Sequence, residues 1–326
     1  AKGDRPCHNP PMPTYLRSAL RAPAVAAIDL GSNALRAIVA RPVNGHVRVL
    51  KEVRVPLRLG EDVFTTGLIS PTKVATTEDA FILLLHLFAE HDVTDLRAVA
   101  TSAMRDAANG ADTTARIERW TGIRLETISG VEEARLIQRA VGTEIPLAKK
   151  TSLLLDIGGG STEITLIKKG EMIASRSFDV GTVRLLSVTR EALDDKIEVE
   201  TGKIVSFIRD HVRIKDIELV AGTGGNLRRM GKIRRKILGK SSEECLYSEV
   251  AHMSQTLFSM GLIERVRALE LDPDRADVIL PAAMLVEALM RRVEAKKIHL
   301  PKVGLKEGLV LDMLGKKKRR FLLKHD

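Results

Sequence analysis

The sequence predicts two similar α/β lobes that face each other across a cleft. The prediction rests on two blocks that each occur twice, in the same order. Asp29-Leu-Gly-Ser-Asn33 and Asp156-Ile-Gly-Gly-Gly160 each follow an apolar strand and precede another, and their aspartates lie 127 residues apart. Ala98-Val-Ala-Thr-Ser102 and Leu219-Val-Ala-Gly-Thr223 place two threonines 122 residues apart. One repeat could arise by chance, but two at nearly the same spacing indicate a duplicated α/β unit.

The first lobe is expected over residues 24–146. Asn44-Gly45 is a strong hairpin signal between apolar stretches, so the lobe should open with three antiparallel strands. Ser70 followed by Pro71 fits a helix N-cap and the first helical position. The remaining pattern predicts a helix over 71–90, a strand over 96–100, a helix over 111–120, a strand over 124–128 and a helix over 131–141.

The second lobe is expected over residues 147–304, where the strand–turn–strand pattern begins again. Further predicted elements are strands over 172–178, 216–221 and 297–300, a helix over 200–211, and mostly helical structure over 247–290. Residues 305–326 are predicted to hold a helix over 307–314 and a basic tail, Lys316–Arg320, which could pack back on the first lobe. Residues 1–23 contain five prolines and no apolar core, and are expected to be a loosely ordered extension.

The composition favours a partner that carries many negative charges. The 326 residues have a formal net charge of +10, and 3% of them are aromatic. Basic chains attract polyanions, but single-stranded nucleic acids are bound by aromatic stacking platforms, so no specific nucleic acid is expected. The longest apolar stretch, 80–89, is too short to cross a membrane. The two widely separated cysteines indicate a reducing compartment, so we expect a cytoplasmic protein.

Three turns of small residues follow predicted strands and form a candidate phosphate site. Successive backbone amides in such turns can create a concave anion site, and glycine lets a ligand approach the backbone. Asp156 and Glu163 add two carboxylates beside the second turn, and phosphate next to carboxylates usually requires a divalent cation such as Mg²⁺. Ordinary tight turns are the alternative interpretation. The candidate phosphate-binding residues are Gly31, Ser32, Asn33, Gly158, Gly159, Gly160, Ser161, Gly222, Thr223 and Gly224.

Five blocks, in order along the chain, resemble the exopolyphosphatase and guanosine pentaphosphate phosphohydrolase family. They are Ala27–Asn33, Ala100–Arg105, Ser129–Leu136, Leu155–Glu163 and Gly222–Asn226. The strand–Asp–Gly turns alone would indicate only the actin, sugar kinase and heat-shock ATPase superfamily, and the Ser-Gly-Val-Glu-Glu-Ala block at 129–134 narrows the resemblance. It covers about residues 24–314. It implies two duplicated actin-like (ribonuclease H-like) lobes, in a short form without the C-terminal His-Asp domain of longer members.

The resemblance implies a metal-dependent hydrolase that releases the terminal phosphate of inorganic polyphosphate. Guanosine pentaphosphate is the alternative substrate, and a phosphotransferase (kinase) on the same scaffold is a second alternative. In that resemblance Glu133 would orient and deprotonate the attacking water, Arg105 would hold the terminal phosphate, and Asp156 and Glu163 would bind Mg²⁺. The charge of +10 and the scarcity of aromatic residues favour polyphosphate, which has no base. A homodimer is left open.

Glu132 and Glu133 are expected to point in different directions. Both begin a predicted helix, and successive side chains leave a helix about 100° apart, so only one of them should face the cleft. Negative side chains are also favoured at a helix N-terminus whatever their function. The resemblance gives the catalytic role to Glu133 and leaves Glu132 to solvent or to a supporting contact.

The segment 227–240 combines apolar residues at helical spacing with a run of basic residues. A solvated charged face is the usual interpretation of such a run. Because the run directly follows the third small-residue turn, it is also a candidate track for a long polyanion. Its basic members are Arg228, Arg229, Lys232, Arg235 and Lys236.

Overall fold

Two six-stranded mixed β-sheets form the framework of the protein, and the computed structural model describes residues 22–315 and the strand Leu322–Lys324. The first sheet contains β1 (Ala24–Leu30), β2 (Leu35–Val43), β3 (His46–Val55), β4 (Val93–Ala100), β5 (Leu125–Thr127) and the strand Leu322–Lys324. In this sheet β1, β2 and β3 form an antiparallel meander, β4 pairs parallel with β1, β5 pairs parallel with β4, and Leu322–Lys324 pairs parallel with β3. The associated helices are α1 (Leu59–Thr66), α2 (Pro71–Glu90), α3 (Ser102–Asp106), α4 (Gly110–Thr121) and α5 (Gly130–Val141).

The second sheet repeats this arrangement. Its strands are β6 (Ser152–Ile157), β7 (Thr162–Lys168), β8 (Glu171–Phe178), β9 (Leu219–Thr223), β10 (Glu244–Leu246) and β11 (Lys297–His299). The order β10-β11-β9-β6-β7-β8 places a second antiparallel meander at one edge and β9 parallel to β6. The helices are α6 (Leu193–His211), α7 (Gly225–Leu238), α8 (Tyr247–Ser259), α9 (Leu262–Leu269), α10 (Pro273–Ala276), α11 (Ile279–Arg292) and α12 (Leu305–Gly315).

The shared strand order confirms the predicted two-lobe α/β architecture, but one repeated pair was aligned wrongly. Asp29 and Asp156 are equivalent, since each stands on the first strand of its meander. Across the parallel pairing, Asp29 lies opposite Val99, whereas Asp156 lies opposite Thr223. Thr223 therefore corresponds to Val99 and not to Thr101, which lies two residues farther along the chain and beyond the end of β4.

Several element boundaries differ from the sequence-based expectations. Helix α1 was not predicted, because a glycine at its second position lowers helix propensity. It forms because Leu59 and Val63 are buried, and Gly67 ends it with a positive φ of 78°. Helix α6 begins at Leu193, seven residues earlier than expected, with Asp194 and Asp195 in its first turn. Strand β9 begins at Leu219, after the short 3₁₀ turn Ile214–Asp216.

Helices α5 and α12 connect the two sheets through a shared apolar cluster. This cluster joins Ala27 of β1 and Leu154 of β6 with Leu136 of α5 and Leu309 of α12. Each sheet has a further apolar cluster of its own with the remaining helices. Helix α12 is also held by Asp312, whose carboxylate contacts Arg97, Arg135 and Arg139. The lobe boundaries themselves stay a prediction.

The chain ends lie largely outside the described residues. The proposed extension is described only for residues 22 and 23, and the basic run Lys316–Arg320 is not described. None of the helices in the described part of the chain combines the length and the apolar character that a membrane span requires.

Candidate active site

The small-residue turns of both lobes line one cavity of about 350 Å³. This cavity brings together residues as far apart in the sequence as Asp29 and Glu307. Seven of the ten candidate phosphate-binding residues line it: Gly31, Ser32, Asn33, Gly158, Gly159, Ser161 and Gly224.

The other three candidate phosphate-binding residues do not line the cavity. A Cβ atom on Gly160 would collide with the ring of Phe64, and one on Gly222 would collide with the side chain of Leu227. The hydroxyl of Thr223 donates a hydrogen bond to the carboxylate of Asp156. Close packing therefore accounts for the two glycines, and the threonine supports an acidic side chain.

The glycine turns of the two lobes close in the same way and touch each other. The amide of Gly31 donates to the carbonyl of Ala34 at 3.2 Å, and the amide of Gly158 donates to the carbonyl of Ser161 at 3.0 Å. A Cβ atom on Gly159 would lie 3.1 Å from Ser32 Cβ, which is tighter than ordinary contact. Glycine at position 159 thus permits the close approach of the two turns.

The strand register creates one cross-strand row of three residues in each lobe. In the first lobe Asp29, Arg36 and Arg54 stand opposite one another on β1, β2 and β3, and we call this the lobe I row. In the second lobe the same positions on β6, β7 and β8 hold the lobe II row, which consists of Asp156, Glu163 and Ser177. Directly opposite residues project from the same face of a sheet.

The two rows carry opposite charge. Arg36 Nη1 lies 3.3 Å from Asp29 Oδ2, so the lobe I row neutralises its carboxylate internally. At the position of Arg36, the lobe II row has Glu163, which adds a second negative charge beside Asp156. The lobe I row is therefore suited to phosphate oxygens, whereas the lobe II row is suited to a cation.

Glu133 completes an acidic triad with Asp156 and Glu163. One carboxylate oxygen from each residue lies within 4.8 Å of the others. Ser129 caps α5 by accepting from the amide of Glu132 at 3.2 Å, and the helix then places Glu133 in its first turn. Glu133 Oε2 is buried and accepts no hydrogen bond among the described residues.

Hydroxyl groups hold the other two members of the triad. Glu163 Oε1 accepts from Ser161 Oγ at 2.6 Å and from Ser177 Oγ at 2.8 Å, and Asp156 Oδ1 accepts from Thr223 Oγ1 at 2.7 Å. These donors fix the carboxylates in place without neutralising them.

Burial raises the pKa of every member of the triad. The pKa of Glu133 rises well above its ordinary value because of burial and of the nearby Glu163 carboxylate. The pKa of Glu163 rises for the same reason, with Asp156 as the neighbouring charge. Burial raises the pKa of Asp156 to about 6, although the Thr223 hydroxyl opposes the rise. The ionisation of all three adjacent carboxylates is unfavourable in free energy unless a cation lies among them.

The donor set of the triad fits a divalent cation. Mg²⁺ takes oxygen ligands and is commonly held by one or two carboxylates together with substrate phosphate and water. One oxygen each of Asp156 and Glu163 is held by hydroxyl donors, whereas Glu133 Oε2 has no hydrogen-bond donor in the described part of the chain and can accept from a water molecule beside a cation. Asp156 and Glu163, the residues that would hold the ion, lie together in this triad with Glu133 beside them.

Glu132 points away from the triad. Its carboxylate pairs with Arg135 at 2.7 Å and with Arg97 at 3.3 Å. The hydrogen bonds from Arg135 are the largest cause of the lowered pKa of Glu132. The neighbouring glutamates thus have pKa values displaced in opposite directions.

Arg105 lies near the triad but does not line the cavity. Its Nη1 donates to the carbonyl of Ile128 at 2.9 Å, and its positive charge opposes the raised pKa of Glu133 and of Glu163. In this geometry the guanidinium is an electrostatic neighbour of the acids.

Seven cationic side chains line the cavity, and four of them were not identified from sequence. Arg36, Arg54, Arg275 and Lys306 are the additional ones. Burial and the neighbouring arginines 54, 229 and 36 lower the pKa of Arg275 to about 10, so several guanidinium groups crowd one wall of the cavity. Such a cluster favours an anion with several charges.

Only part of the candidate track on α7 reaches the cavity. Arg228, Arg229 and Lys232 line it, whereas Arg235 and Lys236 do not. Arg228 pairs with Glu307 at 3.3 Å, and Lys236 pairs with Glu270 at 2.7 Å. Three of the five candidate residues therefore lie at the cavity, and the other two lie farther along the helix.

The raised pKa of Asp156 predicts that the metal-free protein loses stability as pH rises. The folded state binds the proton more tightly than the unfolded state, whose pKa is the ordinary 3.8. The contribution to stability is therefore complete below about pH 4 and is lost as pH rises through about 6, a loss of about 3 kcal/mol. Urea unfolding with a chelator between about pH 4 and 7 should show this decline, and Asp156→Asn should make it shallower, because Glu133 and Glu163 also have raised pKa values. An equal decline in Asp156→Asn would contradict the assignment.

Known proteins resemble this chain over most of its length. The profile of the Ppx/GppA phosphatase family matches residues 38–317. "Exopolyphosphatase 2" of Mycobacterium tuberculosis is 30% identical over 316 residues, which cover 89% of this chain and 98% of that protein. "Exopolyphosphatase 1" of Mycobacterium bovis is 27% identical, with 88% of this chain and 87% of that protein covered.

Two solved structures share the fold. An exopolyphosphatase from Cytophaga hutchinsonii superposes with a TM-score of 0.82 at 23% identity, over 90% of this chain and 98% of that chain. An Aquifex aeolicus member of the Ppx/GppA family superposes with a TM-score of 0.76 at 22% identity, over 91% of this chain and 99% of that chain. These similarities confirm the predicted actin-like two-lobe fold.

Proposed function

This chain belongs to the Ppx/GppA phosphatase family, and we propose that it is an exopolyphosphatase that releases the terminal phosphate of inorganic polyphosphate with a divalent cation. The observation that carries this proposal is the pair of oppositely charged rows. The lobe II row and Glu133 supply an acidic cation site, and the lobe I row and its neighbours supply arginines for a phosphate chain. Together these sites can bind a phosphoanhydride and offset the charge that develops during its hydrolysis.

Glu133 is proposed as the general base. Water attacks the terminal phosphorus, its proton passes to Glu133 Oε2, and the new P–O bond forms as the bond to the bridging oxygen breaks. The shortened chain leaves with that bridging oxygen and both electrons of the bond. A carboxylate with a raised pKa and a buried oxygen without a hydrogen bond in the described part of the chain is suited to accept the proton.

The remaining groups bind and orient the substrate. Amides of the two turns other than those of Gly31 and Gly158, which already donate within their turns, would hold oxygens of the terminal phosphate. Arg36 would pair with the phosphate charge, and Arg54 would do so after exchanging its partner Asp274. A bound Mg²⁺ ion would offset charge on the phosphate as the bond breaks. We also retain Arg105 as a proposed contact to the terminal phosphate, through movement from its present partner.

The cavity lining favours polyphosphate over guanosine pentaphosphate. None of the described residues that line the cavity is aromatic, so a guanine base would find no ring to stack on. Arginines and a lysine instead continue along the wall towards α7. Guanosine pentaphosphate remains the alternative substrate, and a phosphotransferase remains the second. The cytoplasm stays the proposed location, and a homodimer stays a prediction.

A direct comparison of substrates tests the proposal. Phosphate release with Mg²⁺ would be measured on medium-length polyphosphate, guanosine pentaphosphate and ATP, the last with and without hydroxyl acceptors. We expect kcat/KM for polyphosphate to exceed the other two by at least about tenfold, a difference of about 1.4 kcal/mol. A higher value for guanosine pentaphosphate would favour the alternative substrate. ADP formation that depends on an acceptor would indicate a phosphotransferase.

The outer part of the proposed α7 track should affect KM only for long polyphosphate chains. Arg228, Lys232 and Arg235 share one face of α7, and Arg235 is exposed beyond the cavity. We expect Arg235→Gln to raise KM for chains of hundreds of phosphates by about two- to fivefold at low salt, and the effect should fade at high salt. KM for tripolyphosphate should not change.

The matched control is Lys236→Gln, because Lys236 already pairs with Glu270. This control should leave KM for long chains unaltered. Equal effects of Arg235→Gln on long and short chains would rule out a track.

A further inference from the structure

Ser177 lies at the end of the lobe II row, on the edge strand β8. It stands directly opposite Glu163 in the strand register, and its Oγ donates to Glu163 Oε1 at 2.8 Å. Ser161 Oγ donates to the same oxygen at 2.6 Å. Two hydroxyl donors therefore converge on one oxygen of this carboxylate and limit the rotation of its terminal bond.

The convergence leaves the second oxygen of Glu163 available to a cation. Within residues 22–315 no hydrogen bond is made to Glu163 Oε2, although the side chain is only 2% exposed. Partners of this kind orient metal ligands, and losing one typically weakens metal binding by about 10- to 100-fold. The hydrogen bond from Ser177 thus acts on the ligand and does not reach the metal itself.

Ser177 also contacts the helix that carries Glu133. A Cβ atom placed on Gly130 would lie 2.8 Å from Ser177 Cβ and 3.9 Å from Glu163 Oε1. Gly130 begins α5, three residues before Glu133. The absence of a side chain at position 130 lets α5 and β8 approach closely. Ser177 therefore hydrogen-bonds Glu163 and also packs against the first turn of the helix that carries Glu133.

The duplicated lobe shows that a serine is not dictated by the fold at this position. Arg54 occupies the equivalent place in the lobe I row, beside Arg36. An arginine at position 177 would neutralise Glu163 and oppose cation binding, whereas a hydroxyl donates a hydrogen bond and adds no charge. In each row, therefore, the third residue does not neutralise the charge of the second.

We propose that Ser177 is a positioning residue for the cation site, which orients Glu163 and sets the spacing between Glu163 and the start of α5. This inference rests on the proposed function, because it requires a divalent cation at the acidic triad. Its rival is that Ser177 only fills space on an edge strand. The two roles differ in whether the hydroxyl hydrogen bond or the side-chain volume matters.

Three variants separate these roles. Ser177→Ala removes the hydroxyl, and Ser177→Cys keeps the volume but donates only weakly. Ser175→Ala is the matched control, because Ser175 lies on the same strand and face and bonds Thr165 instead, at 3.2 Å. Mn²⁺ binding to the protein without substrate would be measured by calorimetry, beside the Mg²⁺ dependence of activity and KM for polyphosphate. Thermal unfolding of the metal-free proteins checks that all variants fold.

We expect Ser177→Ala and Ser177→Cys to weaken Mn²⁺ binding by about tenfold and to raise the Mg²⁺ requirement in parallel. KM for polyphosphate at saturating Mg²⁺ should stay within about twofold, and Ser175→Ala should match the wild type.

Unchanged Mn²⁺ binding in Ser177→Ala would overturn the inference while leaving the proposed function intact. Wild-type binding in Ser177→Cys, or an equal loss in Ser175→Ala, would assign the effect to packing and would overturn it as well. A wild-type protein that binds no Mn²⁺ and hydrolyses no polyphosphate would overturn both the inference and the proposed function.

Discussion

Glu133→Gln should lower kcat for phosphate release from polyphosphate by a factor on the order of a hundred or more. Gln has nearly the same shape but cannot accept the proton of the attacking water. Binding of polyphosphate should survive, because the arginines and turn amides that line the cavity are unchanged. The measurement is steady-state phosphate release together with equilibrium binding of polyphosphate to the variant.

The control for this prediction is the neighbouring residue. Glu132 faces Arg97 and Arg135 and has its pKa lowered by them, so Glu132→Gln should leave kcat within a few-fold of the wild type. If Glu132→Gln abolished activity and Glu133→Gln did not, the assignment of the base to Glu133 would be wrong. Loss of polyphosphate binding in Glu133→Gln would instead indicate a role in substrate binding.

Asp156→Asn should lower kcat/KM at moderate Mg²⁺ by a factor on the order of a hundred, and should raise the Mg²⁺ concentration needed for activity. The change removes a negative charge from the lobe II row while keeping an oxygen near Thr223. Activity of the wild type should vanish with a chelator and return with Mg²⁺. The measurement is the rate as a function of Mg²⁺ concentration for each protein.

The duplication supplies the control. Asp29 occupies the same strand position in the lobe I row, but it pairs with Arg36 at 3.3 Å and is not a member of the acidic triad. Asp29→Asn should therefore leave the Mg²⁺ requirement almost unchanged, even if it alters KM for polyphosphate. Equal shifts in the Mg²⁺ requirement for Asp29→Asn and Asp156→Asn would contradict the assignment of the cation to the second lobe.

The sequence predicts the lobes well because duplication leaves a pattern that does not depend on tertiary contacts. Apolar strands ending in Asp and Gly recur at one spacing, and five strands follow the same order in both sheets. The second repeated block was aligned by its threonines, but strand pairing makes Thr223 equivalent to Val99. For aligning the two lobes, the residue register between paired strands is therefore more reliable than a shared residue type.

The site is only partly accessible from sequence. The repeat could have been extended to the position seven residues after each aspartate. That position is Arg36 in the first lobe and Glu163 in the second, and the comparison would have revealed the charge difference between the lobes. Arg275 and Lys306 carry no such signal, because helices from distant parts of the chain bring them to the cavity. Packing likewise explains Gly160 and Gly222, which a motif alone cannot distinguish from glycines that contact a ligand.

The path of the water oxygen tests the central claim most directly. Polyphosphate would be hydrolysed in water enriched in ¹⁸O, and the released phosphate would be analysed by ³¹P NMR or mass spectrometry. Attack of water on the terminal phosphorus, promoted by Glu133, predicts one ¹⁸O atom in each released phosphate. Released phosphate without ¹⁸O, or phosphate recovered on an added acceptor, would contradict it.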